Sequence, residues 1–249
     1  MKRYFSNSKS TRISESQQQQ QQPQLVFEDS ASAMTTSGEA NDRGHEPLSA
    51  VVAAFEDLAK RLKSITDGDD KGGELRLDTF CDACSLVSVL FSCLGLAFKF
   101  AESEYVAKVC SLVEASKRHN SLQKVLDSDV ANGTVRTPGS HSRNLRRVRQ
   151  GLDLIRALFE QFVSTNDYSL KDAATSAYSQ VCAPYHTWAI RTAVYAGMYT
   201  LPSREQLLQK LNETDHSAEK KMRKYIKASL PVIEYIDKLY IARNISLDW

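Results

Sequence analysis

The chain has 249 residues, with 32 Lys and Arg against 30 Asp and Glu, so its formal net charge is only +2. This near balance excludes a protein that holds nucleic acid through its net charge alone. The hydrophobic fraction of 42% and the charged fraction of 25% are typical of a soluble globular protein with an ample core.

The beginning of the chain differs in composition from the rest. Residues 1–46 are rich in Ser and contain an unbroken run of Gln at positions 17–22. Such a segment buries too little apolar surface to fold, so we expect a disordered tail over 1–46 and one domain over 47–249. The basic start lacks the apolar region of a signal peptide, although a weak organelle transit signal stays open. With 5 Cys and no secretory signal, the chain is expected to be cytoplasmic, with reduced thiols.

Apolar residues recur with helical spacing along the remainder of the chain. Gly and Pro are too infrequent after residue 75 for a sandwich or barrel of short strands. The fold class is therefore predicted to be all-α. The predicted helices span residues 47–65, 78–100, 102–117, 120–131, 140–165, 169–182, 186–199, 203–213 and 216–243.

Signatures of catalysis and of metal binding are missing. The sequence has no nucleophile elbow, phosphate-binding loop, zinc-protease motif or dinucleotide-binding glycine pattern, so we do not expect an enzyme. Cys81 and Cys84 form a C-x-x-C motif without a second pair of ligands, which indicates buried thiols rather than a zinc site. We expect neither a metal nor a cofactor.

Three groups of polar residues could bind a ligand. Glu104 and Lys108 are spaced i, i+4, which on its own predicts only a solvated ion pair. Arg143 and Arg147 share one helical face, and two guanidinium groups there suit a phosphate, although a solvated basic face or nucleic-acid phosphates stay open. His186 follows a proline-imposed break, where a lone histidine is usually structural.

In this order, the three groups resemble the glycolipid transfer protein family over about residues 72–249. The match is closest to its phosphate-selective branch, the plant accelerated-cell-death and ceramide-1-phosphate transfer proteins. The residues that carry the resemblance lie at 80–87, 94–100, 139–143, 183–186, 188–191 and 248–249.

The resemblance implies a two-layer all-helical sandwich that carries a sphingolipid between membranes without chemical change. It implies that the phosphate of ceramide-1-phosphate is bound by Lys108, Arg143 and Arg147. His186 would donate to the amide carbonyl of the ceramide, and Glu104 would accept from its amide N–H. The protein would contact the cytosolic face of membranes only transiently.

The resemblance also implies a pocket for the lipid chains, which opens between the two layers. Trp188 and the apolar run 86–98 are expected to support or line it. The glycolipid-selective branch has a Trp platform for the sugar where this chain has Arg143, which disfavours a glycosphingolipid ligand.

The family normally has Asp where this chain has Glu104, and the longer side chain could pair with Lys108 or Arg143. Weakened or altered headgroup selectivity is therefore a hypothesis. A lipid-sensing or scaffold protein, whose tail recruits a protein partner, is the alternative function.

Overall fold

The computed structural model describes residues 46–68, 73–95, 98–164 and 169–249, which belong to one compact unit. This part of the chain is all-α, as predicted, and its helices pack as a two-layer sandwich. The predicted tail lies, except for Glu46, outside the described residues. The α-helices are α1 (Pro47–Asp67), α2 (Leu77–Cys93), α3 (Lys99–Ser116), α4 (Leu122–Ala131), α5 (His141–Ser164), α6 (Leu170–Val181), α7 (Trp188–Gly197), α8 (Arg204–Leu211) and α9 (Asp215–Ile241).

Helices α5 and α9 form the centre of the molecule. Helix α9 packs along both α1 and α5, α5 also contacts α3 and α6, and α2 lies against α1 and α3. The ring of Tyr225 lies 5.1 Å from that of Phe55 and 5.6 Å from that of Phe159, which joins α9 to α1 and α5. Large rings of this kind dominate the burial of apolar area, so the long helices are held by their shared aromatic core.

Side-chain caps define where several helices begin. The residue before each of α4, α6, α7, α8 and α9 is Ser or Thr, and its hydroxyl accepts from a backbone N–H of the first turn. Each cap is worth about 1 kcal/mol of helix stability. The cap at Thr187 explains why the helix predicted over 186–199 begins only at Trp188, which leaves His186 outside it.

The helix predicted over 78–100 extends too far at its C-terminal end. Helix α2 ends at Cys93, and Gly95 has a φ of 91°, a left-handed conformation that glycine adopts without strain. The chain then begins α3 at Lys99. The run 86–98 is therefore divided between a helix and a turn, and residues 96–97 lie outside the described part of the structure.

The C-x-x-C motif lies in the core of α2. Cys81 and Cys84 are free buried thiols, as the sequence indicates, and burial raises the pKa of Cys81 to about 12. The hydroxyl of Tyr105 donates to the carbonyl oxygen of Cys84 at 3.0 Å, so this segment of α2 supports α3. Among the described residues, His, Cys, Asp and Glu form no cluster that could hold a metal ion.

Candidate functional site

The packing of α3 against α5 brings the first two polar groups together. Near the beginning of α5, the amide of Asn144 donates to the hydroxyl of Ser111 at 2.8 Å. About two turns further along α5, the ring of Tyr105 lies against Gly151, where an added Cβ would come within 2.7 Å of it. The two helices are therefore antiparallel. Lys108 lies midway between Tyr105 and Ser111 on α3. It is therefore level with the midpoint of residues 144–151 on α5, close to position 147.

Glu104 and Lys108 form an ion pair on α3. The Lys108 Nζ donates to the Glu104 carboxylate at 3.0 Å, and the side chains are 54% exposed for Glu104 and 30% exposed for Lys108. A partly exposed pair of this spacing is worth about 0.3–0.5 kcal/mol. Glu104 therefore folds back onto Lys108, one of the two arrangements that the sequence left open, and partly neutralises its charge.

Arg143 and Arg147 lie one turn apart at the beginning of α5. The Arg143 guanidinium donates to the carbonyl oxygen of Arg136 at 2.7 Å, and the Arg147 guanidinium donates to the amide oxygen of Gln150 at 2.8 Å. Neither arginine forms a salt bridge with a carboxylate of the described residues. Burial, and then the charge of Arg143, lower the pKa of Arg147, which shows that its charge is poorly compensated where it lies.

Gln150 also ties this arginine to the next element. Its amide nitrogen donates to the carbonyl oxygen of Val181 at 3.1 Å, the last residue of α6. The segment that follows α6 leads directly to His186. A single buried amide therefore contacts both Arg147 and the end of the helix that leads to the histidine, a role that no local sequence pattern indicates.

His186 lies beside Arg147. Burial, and then the charge of Arg147, lower the pKa of the imidazole. The Nδ1 atom of His186 is 2.9 Å from the hydroxyl of Tyr178, and the two ring centroids are 5.7 Å apart. The histidine is therefore held on one side by α6, and its environment favours the neutral form.

The other two arginines of the cluster are structural. Arg146 is only 4% exposed, and it contacts the Asp237 carboxylate at 3.3 Å and the carbonyl oxygen of Leu247 at 2.8 Å. Arg149 pairs with Asp237 and, at 2.6 Å, with Asp153. Arg146 and Arg149, two of the four arginines in the cluster, therefore form ion pairs with another helix. This argues against a continuous basic face that binds nucleic acid.

Trp188 differs from its expected role. Its side chain is 74% exposed at the beginning of α7, a helix without a buried residue, so it does not line a pocket in this structure. Within the run 86–98, Val87, Phe91 and Leu94 are buried in the core, whereas Leu86 and Val89 are more than one-third exposed. The tryptophan instead adds an apolar surface two residues beyond the histidine.

Together, these side chains form a positively charged site with few negative partners. Arg147 lies close to both Arg143 and His186, and the antiparallel packing of α3 places Lys108 level with Arg147 along α5. Such a site suits a doubly charged oxyanion, because guanidinium groups bind it with paired hydrogen bonds.

Comparison with known sequences identifies the family. The sequence profile of the glycolipid transfer protein family matches residues 75–213, which include every residue of the candidate site. The chain belongs to the glycolipid transfer protein family. The resemblance seen in the sequence is thereby confirmed.

Similar members of the glycolipid transfer protein family come from Arabidopsis thaliana. The chain is 65% identical over 224 residues to the ACD11 homolog protein, a match that covers 90% of this chain and 95% of that protein. It is 46% identical over 211 residues to accelerated cell death 11, covering 84% of this chain and 100% of that protein. The chain therefore belongs to the plant accelerated-cell-death branch of the family.

A solved structure of the same branch has the same fold. The crystal structure of a point mutant of Arabidopsis ACD11, complexed with C12 ceramide-1-phosphate, matches with a TM-score of 0.78 and 46% identity. The match covers 83% of this chain and 100% of that one. The helical segments described for this chain include none long and apolar enough to cross a bilayer.

Proposed function

We propose that this protein is a non-enzymatic carrier that moves ceramide-1-phosphate, or a closely similar phosphorylated sphingolipid, between membranes. The observation that carries the proposal is the pair Arg143 and Arg147, neither of which has a carboxylate partner among the described residues, with Arg147 beside His186. The ceramide-1-phosphate bound to the related Arabidopsis protein supports it.

The charges of the site fit a phosphomonoester. Lys108, Arg143 and Arg147 carry three positive charges and Glu104 carries one negative charge, which leaves a sum of +2. A phosphomonoester carries about −1.5 to −2 at neutral pH. Because burial and Arg143 disfavour the charged form of Arg147, an anion placed between the two guanidinium groups would stabilise that charged form.

The ceramide amide would be held by the two remaining residues. When the Tyr178 hydroxyl donates to Nδ1 of His186, the neutral imidazole keeps its proton on Nε2 and can donate it to the amide carbonyl. The carboxylate of Glu104 can accept from the amide N–H, although its pairing with Lys108 competes with that role. These are proposed roles for the two side chains.

The lipid chains would enter the apolar interior beside this site. Burial of a chain stabilises the complex by about 0.8 kcal/mol for each CH₂ group, so two chains supply most of the binding free energy. Val87 and Phe91 are buried against the core, so we propose that the helices around α2 separate to admit the chains.

A group of exposed aromatic residues would provide contact with the membrane. Phe100 is 78% exposed one turn before Glu104, Trp188 is 74% exposed two residues after His186, and Tyr199 is 76% exposed after α7. Aromatic side chains favour the interface between lipid and water. We therefore propose transient peripheral contact at the cytosolic face through these side chains.

The proposal is tested by transfer of a fluorescent lipid between vesicles. Ceramide-1-phosphate is compared with galactosylceramide for the wild type and for Arg143→Ala combined with Arg147→Ala. The matched control is Arg61→Ala combined with Arg223→Ala, two exposed arginines that each pair along their own helix. Far-ultraviolet circular dichroism checks that each variant is folded.

We expect the wild type to transfer ceramide-1-phosphate but not galactosylceramide, and only the site variant to lose transfer. Equal transfer of both lipids would contradict selection by phosphate. If the folded wild type binds ceramide-1-phosphate but does not transfer it, the lipid-sensing alternative replaces the carrier.

A further inference from the structure

A second surface of the protein, which shares no residue with the candidate lipid site, is concave and lined by lysines. A groove of about 940 Å³ runs between α1 and α9. Five lysines line it: Lys60, Lys63, Lys224, Lys227 and Lys238. We call this surface the lysine groove.

The lysine groove carries uncompensated positive charge. Among the described residues that line it, the five lysines face two acidic residues, Glu56 and Glu234. Lys224 lies 3.8 Å from the Glu56 carboxylate, a long and exposed contact, and the other four lysines form no ion pair with a described residue. Like charges gathered along one groove repel each other, so a negatively charged occupant is favoured.

The floor of the lysine groove is apolar. Between the lysines lie Ala59 and Leu62 of α1, and Ala228, Pro231 and Tyr235 of α9. A surface with an apolar floor and a charged rim is typical of grooves that bind an amphipathic helix.

Pro231 adds an acceptor to this surface. Proline has no N–H, so the carbonyl oxygen of Lys227, four residues earlier, has no donor from its own helix. Both residues line the groove. A polar side chain of an occupant could donate to this oxygen.

The length of the groove suits a helical segment. A neighbouring recess of about 480 Å³ shares Glu56 and Lys224 with the lysine groove and adds Lys220 and Lys221. The two together follow α1, whose 21 residues extend about 30 Å. This is the length of a partner helix of about 20 residues.

From this combination we propose that the lysine groove binds an acidic amphipathic helix of a partner protein. A flat membrane surface fits less well, because the groove is concave and the strongly exposed aromatic residues lie on other elements, at Phe100, Trp188 and Tyr199. The lysine groove would therefore join the proposed lipid carrier to another protein while its lipid site stays free.

The test measures binding of a fluorescent synthetic peptide by anisotropy. The peptide has about 20 residues, with Leu on one helical face and Glu on the other, and a second peptide replaces every Glu by Lys. Binding is measured for the wild-type chain and for Lys63→Glu combined with Lys227→Glu. The control, Arg118→Glu combined with Lys124→Glu, makes the same charge change at two exposed positions outside the groove.

We expect the acidic peptide to bind the wild type and the control equally, and the groove variant at least about tenfold more weakly. Ceramide-1-phosphate transfer should be unchanged in all three proteins, whereas failure of the proposed carrier function would appear as lost transfer in the wild type. Equal binding of the two peptides, or equal loss in the control variant, would overturn the proposal. So would groove-dependent binding to phosphatidylserine vesicles without peptide binding, because the occupant would then be a membrane.

Discussion

The hydroxyl of Tyr178 lies 2.9 Å from Nδ1 of His186, and this contact determines how the histidine can act. A hydroxyl that donates to Nδ1 leaves the proton of a neutral imidazole on Nε2, the atom on the opposite side of the ring. Burial and the charge of Arg147 both lower the pKa of His186 and favour this neutral form. When the Tyr178 hydroxyl is the donor, helix α6 leaves Nε2 as a hydrogen-bond donor beside Arg147.

This environment predicts how stability depends on pH. Because the pKa of His186 is lowered by folding, the unfolded chain takes up the proton first as the pH falls below about 6.5. The free energy of unfolding should therefore decrease as the pH falls from about 6.5 to the lowered pKa of the folded state. Urea unfolding at pH 7.5, 6.5 and 5.5 measures this loss, which His186→Gln should reduce. His216→Gln, at an exposed position, is the control, and equal slopes for the two variants would contradict the prediction.

Gln150→Glu should weaken phosphate binding, and it also removes the hydrogen bond that the amide donates to the carbonyl oxygen of Val181, because a carboxylate is only an acceptor. The substitution places a carboxylate where the amide oxygen now accepts from Arg147 at 2.8 Å, so a phosphate would have to displace it. A hydrogen bond to a charged group is worth about 1.5–3 kcal/mol, so we expect ceramide-1-phosphate affinity to fall about tenfold or more. Equilibrium binding to donor vesicles measures the change.

The matched control for this prediction is Gln209→Glu, the same substitution at an exposed position of α8. It should leave affinity unchanged. An unchanged affinity in folded Gln150→Glu would show that Arg147 does not bind the phosphate.

Most of the fold could be predicted from the sequence, because apolar spacing and the scarcity of Gly and Pro both indicate helices. The break at Gly95 was missed, since a single glycine within an apolar run gives no clear sign of a left-handed φ. The supports of the site were also missed. Gln150 contacts Val181, 31 residues away, and such a contact depends on how α5 and α6 pack rather than on a local pattern.

The roles of the arginines also depend on contacts between helices that local spacing does not reveal. The spacing of Arg143 and Arg147 indicates a shared face, but it cannot show that neither pairs with a carboxylate of the described part of the chain. That depends on Asp237, which comes from α9 and pairs with Arg146 and Arg149 instead.

Glu104→Asp should increase ceramide-1-phosphate transfer. The shorter side chain reaches less far toward Lys108, which weakens the present 3.0 Å contact and makes the lysine more available to the phosphate. The pair is worth about 0.3–0.5 kcal/mol, so we expect a gain of about twofold. The control is Glu102→Asp on the same helix, which disturbs the ion pair with Lys99 at 3.1 Å. Unchanged transfer in Glu104→Asp would show that this departure from the family pattern is neutral.

Asp237→Ala should be the most destabilising of these substitutions. It removes the carboxylate that Arg146, 4% exposed, contacts at 3.3 Å, and that also pairs with Arg149. Removing one partner of a buried ion pair costs about 3–5 kcal/mol, because the remaining charge stays buried without compensation. Chemical unfolding at neutral pH measures the loss.

The comparison for this substitution is Asp127→Ala. Asp127 pairs with Arg243 at 2.6 Å but is 54% exposed, so its loss should cost less than about 1 kcal/mol. The guanidinium of Arg146 also lies 5.9 Å from the ring of Tyr185, the residue before His186. Asp237→Ala should therefore weaken ceramide-1-phosphate binding as well, even at temperatures at which the variant is folded. An equal loss in the free energy of unfolding of the two aspartate variants would show that the ion pairs of the buried Arg146 stabilise the fold no more than an exposed pair does.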